Sequence, residues 1–335
     1  MAVLVSINCI TFNHENYIER AIESFLNQNT SFEYEILIGE DCSTDRTKEI
    51  VEKYARLYPS KIRLITSNNN VGATENMRRL FLNSKGKYIA VCEGDDYWID
   101  INKLQKQVAY MEDNPDCTLC FHNGIVVDDK NHISDRLVIP WMKNNEKYYF
   151  KRNCQYTAGE LALLGYIPTA SYLYPKHLLE QLPDWCYSSI VGDNVIKLIT
   201  SSHGYAYYMD ECMCAYRFGV AGSATSNWVK DNNTKEKKIL HCQGFIDLFD
   251  NFNQYSNHKF TEEIDKAKKI FEFQIAVIKG DLKMLKDQRL NGLLEELTLK
   301  EKLKIFSKCY FPNVYNILAA IKAYVLHVMK RSAID

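Results

Sequence analysis

Four short segments of the 335-residue chain concentrate side chains that could do chemistry: CITFN (9–13), GEDCSTDRT (39–47), NNNVGATEN (68–76) and EGDDYW (93–98). The last places Glu93, Asp95 and Asp96 within four residues. An oxygen-only donor set of this kind suits Mg²⁺ or Mn²⁺, and carboxylates so close repel unless a cation lies among them. The plainer alternative is a solvated turn. Farther along, Asp193 stands just before an apolar helical stretch, Val195–Ile199. By position alone it suits a helix N-cap. His14 and His203 are single histidines in loop settings, and neither is read as a ligand. Cys117-x-x-Cys120, with His122 nearby, has no second ligand pair at finger spacing and is read as core, as is Cys212-x-Cys214.

These segments need elements to hold them. Ala2–Ile10 is an unbroken apolar run, the pattern of a strand buried on both faces. Tyr17, Ile18, Ala21, Ile22, Phe25 and Leu26 recur at helical spacing, with Asn13 the expected cap. A strand at Tyr34–Gly39, a helix at Asp45–Tyr58, a strand at Ile62–Thr66, a helix at Thr74–Ser84 stopped by Gly86, and a strand at Tyr88–Cys92 follow. Such alternation predicts a parallel sheet with helices on both faces, and ligands bind such sheets beyond the carboxyl ends of the strands. The loops at Thr11–His14, Glu40–Asp45, Asn68–Gly72 and Glu93–Trp98 are therefore expected on one rim.

The region from Lys103 to Thr225 is mixed, with a helix at Lys103–Glu112 and strands at Thr118–Val127 and Tyr205–Met209. Beyond Ser226 the pattern is helical, with a cap at Gly280 and a break at Pro312. Forty-one basic residues against 42 acidic ones give a net charge of -1, which excludes a polybasic nucleic-acid binder and an acidic disordered tail protein. That balance hides an asymmetry: 14 Lys+Arg against 8 Asp+Glu from Asp265 onward, a net +6, leave -7 on the first 264 residues. The N-terminus has no basic n-region or small-residue cleavage site, so the eleven cysteines are expected reduced, in the cytosol.

Taken together, the four segments resemble the nucleotide-sugar-binding half of family 2 glycosyltransferases with the GT-A fold, in particular a bacterial subgroup with a GDDYW signature followed by a KLQKQ helix, here Lys103–Gln107. The likeness covers roughly residues 2–225 and implies an α/β, Rossmann-like, mostly parallel sheet over 1–225, divided into a nucleotide-sugar half (1–100) and an acceptor half (101–225), before a helical, basic region at 226–335. It implies an inverting transfer of sugar from a nucleotide donor, with UDP-sugar first, to an acceptor hydroxyl on a glycan or lipid-linked glycan. Asp41 matches the Asp that accepts the uracil N3–H; Thr11, Phe12 and Asn13 frame the base, with Phe12 stacking on it or serving as core. Asp95 matches the first metal ligand for Mn²⁺ or Mg²⁺, Glu93 a second that reaches it directly or through water, and Asp96 faces the donor sugar or the acceptor. Asn76 falls on a donor-binding position, although Glu75 stands where many relatives carry Arg. Asp193 falls on the general base, with Gly192 in place of the usual acid, and Arg217, in a segment resembling YR-x-x-x-x-S, on a diphosphate clamp. Glu40 replaces the first Asp of the second motif.

Two other classes compete. A nucleotidyltransferase should open with a glycine-rich, basic phosphate loop, but ITFNHENY has neither glycine nor Lys or Arg. A catalytically silent sugar- or membrane-binding protein would not be expected to keep Asp41, Asp95, Asp96, Asp193 and Arg217 together. Dehydrogenases are excluded because no G-x-G-x-x-G follows the first strand. Residues 300–331 carry seven Lys+Arg against Glu301 alone, around an apolar stretch at Val314–Met329 too short to cross a bilayer. The expectation is peripheral contact with an anionic membrane through 300–335, at the inner face of the cell membrane, against the alternative of a packed terminal helix or a homodimer contact.

Overall fold

In the computed structural model, residues 2–139, 152–219 and 234–310 are described, and they fall into two compact units, 2–219 with 251–264 and 234–250 with 265–310. The expected boundary at 225/226, the break at Pro312 and the apolar stretch at 314–329 lie outside the described residues.

The first unit opens β1 (Val5–Thr11), α1 (Ile18–Leu26), β2 (Tyr34–Glu40), α2 (Thr47–Leu57), β3 (Ile62–Thr66), α3 (Ala73–Asn83), β4 (Tyr88–Val91), the expected alternation. β1 pairs in parallel with β2 and β4, and β2 with β3. Thr11, Glu40 and Thr66 lie in one register row, so the carboxyl ends of three strands form a single edge. Ile7, Cys9, Ile36 and Ile38 are wholly buried, and so are Ile18, Ala21, Ile22 and Phe25 on the inner face of α1. At about 1.5–3 kcal/mol per large apolar side chain, these contacts fix the strand ends before any polar group is added.

The sheet continues as β3-β2-β1-β4-β9-β6-β10-β5, with β7 on β6 and β8 on β10. β6 (Cys117–Val127) and β10 (Tyr205–Arg217) are parallel to each other. β5 (Tyr97–Trp98), β7 (Ile133–Leu137), β8 (Cys154–Tyr156) and β9 (Leu173–Pro175) are short and antiparallel to their neighbours. Between β5 and β6 runs α4 (Lys103–Asp113), the KLQKQ helix; α5 (Ala158–Leu163) lies between β8 and β9, and α6 (Asp184–Ser188) follows β9. Lys103 of α4 is buried, donates to Gln107 Oε1 at 2.8 Å and lies 4.1 Å over the Trp98 ring; burial lowers this ammonium to about 8. Gln107 Nε2 donates to the carbonyls of Cys120 and Ser171 at 3.2 and 2.8 Å. Helix α4 thus brackets β6 to the Thr169–Ser171 turn from inside. Cys117 and Cys120 are buried in β6, and burial pushes both thiols upward.

Two expectations about helix ends are corrected. Asn13 does not cap α1; its backbone is left-handed at φ +55° and its side chain accepts from Thr44 N at 2.8 Å, so it ties two loops together. α3 ends at Ser84 in extended backbone, and Gly86 serves a close approach instead: a Cβ there would lie 2.4 Å from Ser6 N. Gly280, by contrast, has φ +73° directly after the helix Thr261–Lys279, the expected terminator.

The second unit contains part of the helices Lys235–Tyr255 and Thr261–Lys279, then Leu282–Leu285, Asn291–Glu295 and Leu299–Tyr310. Cys242, Ile246 and Ile275 form its buried cluster. Among the described residues, no helix is long and apolar enough to cross a membrane.

Candidate active site

The four loops meet at the rim. Asp41 N donates to Thr11 O at 3.1 Å, Asn13 N to Ser43 Oγ at 3.0 Å, and Gly94 N to Ile10 O at 2.9 Å. Asp41 is 3% exposed and pins the third loop to the second: its carboxylate accepts from Val71 N at 2.8 Å, Gly72 N at 2.9 Å and Ser67 Oγ at 3.2 Å. Asp45 accepts from Thr47 N at 2.9 Å at the start of α2, whose N-cap position is Arg46. Glu40 Oε1 accepts from Ser43 N at 2.6 Å. Phe12, 37% exposed, presents its ring at this edge.

The fourth loop is built differently. Glu93 Oε1 accepts from Thr169 Oγ1 at 2.6 Å, while Oε2 is buried without a hydrogen-bond partner. Burial pushes the Glu93 carboxyl up to about 7, and the Asp95 and Asp193 charges add to the shift. Asp96 is buried and also raised, by burial and then by Asp95 and Glu93; its Oδ1 accepts from Arg217 N at 2.7 Å. Asp193 is the second residue of α7 (Gly192–Ser202), which has Val191 as its N-cap, and it accepts from Asn194 Nδ2 at 3.1 Å. The charges of Asp95 and Asp193 thus act on Glu93, and those of Asp95 and Glu93 on Asp96.

Two expected donor contacts are turned inward. Asn76 is 1% exposed and donates to Gly39 O at 2.7 Å, packed so closely that a Cβ on Gly39 would lie 2.4 Å from Asn76 Oδ1. Arg217 is 2% exposed, and its guanidinium donates to Asp95 O, Asp128 O and Asn131 Oδ1 at 2.8, 2.7 and 2.6 Å, with the Tyr17 ring 4.4 Å away. Its donors hold the backbone of the acid loop and the β6–β7 turn, in place of the expected diphosphate clamp. Gly222, in the same segment, lies outside the described residues.

Two residues at the site were not singled out from sequence. Lys197, one helical turn after Asp193, is buried; burial lowers its ammonium to about 8, against the opposing pull of Asp193. Its i,i+4 spacing on a helix was the available signal. His14, read as a loop residue, stands beside Asp95, with Nε2 to Oδ2 3.9 Å. His203 bonds Tyr255 OH at 3.0 Å, away from the acids.

The donor set suits a divalent cation: carboxylate oxygens at a strand end, one of them buried and unpartnered, with Asp95 partly open. Among the described residues no group of three or more His, Cys, Asp or Glu is arranged to close round an ion, so diphosphate oxygens and water would have to complete the shell.

Residues 6–164 match the family model described as glycosyl transferase family 2. The match covers 159 of the 335 residues, so the N-terminal part of the chain is similar to family 2 glycosyltransferases. An uncharacterised protein of Mycobacterium tuberculosis is 38% identical over 141 residues, 42% of this chain and 41% of its own. The Escherichia coli UDP-Glc:alpha-D-GlcNAc-diphosphoundecaprenol beta-1,3-glucosyltransferase WfaP is 37% identical over 109 residues, 32% of this chain and 41% of its own. The alignments thus span about two fifths of each relative's length. In three dimensions the fold is shared with S. aureus TarS 1-349, solved with UDP-GlcNAc: TM-score 0.57 and 16% identity, covering 92% of this chain and 79% of that one.

Proposed function

We propose that this chain is an inverting glycosyltransferase that moves a sugar from a UDP-sugar to an acceptor hydroxyl in the assembly of a bacterial surface glycan. The convergence of Glu93, Asp95 and Asp193 at the rim of a family 2 domain carries this reading. In-line displacement needs one base and no enzyme nucleophile. Asp193 is that base, with buried Lys197 one helical turn away. A divalent cation held by Asp95, with Glu93 behind it, would neutralise the leaving diphosphate. Phe12 and the Thr11–Asn13 turn frame the base, and Asp41 lines its pocket while holding the loop that closes it.

Residues 1–225 are the catalytic part, and 226–335 a helical, basic part that brings the enzyme to the inner face of the membrane. The named acceptor of WfaP, a lipid-linked sugar, and the net +6 beyond Asp265 support this placement. A nucleotidyltransferase remains disfavoured by the first loop, which lacks glycine and a basic side chain.

The test is a panel of nucleotide-sugars, scored for metal-dependent release of nucleotide with and without anionic vesicles. A UDP-sugar should be turned over with Mn²⁺ or Mg²⁺, faster on vesicles. Turnover equal in chelator removes the metal; turnover of a GDP-sugar in preference removes the uracil assignment to Asp41. Equal vesicle binding by a chain stopped at Thr298 removes the membrane role of the tail.

A further inference from the structure

His14 is held more firmly than a loop histidine needs to be. Its backbone N donates to Thr47 Oγ1 at 2.8 Å, and its carbonyl accepts from Tyr17 N and Ile18 N, both at 2.9 Å, at the entry to α1. The ring is fixed from one side by Thr11, whose Oγ1 lies 3.2 Å from Nδ1. Thr11 is itself 2% exposed and packs on Gly94, where a Cβ would fall 2.7 Å from the same Oγ1. The absence of a side chain at position 94 therefore lets the threonine reach the histidine from beneath the acid loop.

With the Nδ1 proton given to Thr11 Oγ1, the Nε2 lone pair faces Asp95 Oδ2 across 3.9 Å. Two acceptors then look at each other over a gap too wide for a hydrogen bond, which ends near 3.2 Å. Two metal–ligand bonds of about 2.1 Å span at most about 4.2 Å, so the gap has the width for one ion. A second partner on the far ring nitrogen is what orients a ligating histidine and fixes its tautomer. Thr11 supplies that partner. The buried, unpartnered Glu93 Oε2 in the same loop is a further oxygen that lacks a positive neighbour.

We propose that His14 is a nitrogen ligand of the donor-site cation, opposite Asp95, and that this tunes the enzyme to Mn²⁺ over Mg²⁺. The proposal rests on the divalent-metal reading above and deepens it. Mg²⁺ strongly prefers oxygen and gives up water reluctantly, whereas an imidazole is a better donor to a transition metal. Two protein ligands leave the remaining positions to diphosphate oxygens and water.

The experiment is pulsed electron paramagnetic resonance on the full chain loaded with Mn²⁺ and UDP, prepared with natural-abundance and with ¹⁵N-labelled histidine. A directly bound imidazole nitrogen should modulate the Mn²⁺ echo, change character on histidine labelling and vanish in His14→Ala. The same variant should bind Mn²⁺ at least tenfold more weakly in the presence of UDP, with a smaller loss for Mg²⁺. His14→Gln, which keeps a polar side chain of similar reach, guards against a folding defect and should also lack the signal. Bound Mn²⁺ with no histidine modulation overturns the role of His14 and leaves the metal reading intact. UDP binding without any Mn²⁺ binding overturns both, and failure to bind UDP at all removes the donor site itself.

Discussion

The nucleotide-side loops and the acid loop both end strands of one sheet, yet they treat negative charge in opposite ways. Asp41 and Asp45 are held by neutral donors, mostly backbone N–H groups; Glu40 Oε1 accepts from Ser43 N, while its Oε2 is buried without a hydrogen-bond partner. The charge of the two aspartates is spread into hydrogen bonds, and the result is a preformed wall. In the acid loop, Glu93 and Asp96 are instead pushed upward, by burial first and then by neighbouring acids. Arg217 lies on the backbone of the acid loop and Lys197 beside Asp193. Asp41 and Asp45 are satisfied in the free protein; the acid loop is left to be completed by cation and substrate, the usual trade of stability for function.

The largest expected effect breaks the second region. Asp193→Asn keeps the shape of α7 and removes the proton acceptor. Transfer should fall by roughly 10²–10⁴-fold, the usual range for a general base. Donor affinity should be unchanged, because the base acts only in the transition state. Calorimetry with UDP and a single-turnover transfer assay measure the two. A variant that transfers at nearly the native rate would assign the base to another carboxylate.

A smaller effect tests the contrast itself, with opposite signs in the two loops. In chelator at pH 8, Glu93→Gln should raise the unfolding temperature. The folded Glu93 carboxyl, at about 7, lies above an unfolded value near 4.5. Its contribution to stability is full below the unfolded value and is lost as pH rises through about 7. Glutamine does not titrate, so the variant's advantage should grow from pH 5 to pH 8, by on the order of 2 kcal/mol. Asp41→Asn should instead destabilise by about 1–3 kcal/mol, because an amide –NH₂ then faces Val71 N or Gly72 N. Equal losses from both substitutions would erase the distinction.

How far the sequence reached follows from the same contrast. The alternation β1 to β4 is carried by long local apolar patterns, and it reads directly. β5, β8 and β9 are two or three residues long and get their place from distant partners, so no periodicity announces them. Asn13 favours caps and left-handed turns alike, and only the second loop, through Thr44 N, decides between them. Asn76 and Arg217 sit in the right motifs, but motif position does not say which way a side chain faces: both are spent on carbonyls. His14 reads as a plain loop histidine and Lys197 goes unmarked because each matters through a residue far away, or one helical turn away, that only folding brings near.

The smallest effect sharpens the acid region from its positive side. Lys197 is buried on α7 at a spacing that puts its stem about 5–6 Å from that of Asp193. Lys197→Met fills the same space and deletes the charge. Without that charge the transfer step loses a cation next to the base, and kcat/KM at pH 7 should fall by on the order of tenfold. Stability should shift in the other direction. The folded ammonium titrates at about 8, below its unfolded value, so the folded protein binds fewer protons between about 8 and 10.5 and native stability rises with pH across that window. The variant lacks this slope and should be the more stable protein below pH 8, with the two curves converging towards pH 10. Arginine at the same position should return the rate toward the native value, because a guanidinium stays charged. If methionine leaves the transfer rate in place while changing only the melting curve, Lys197 is a packing residue.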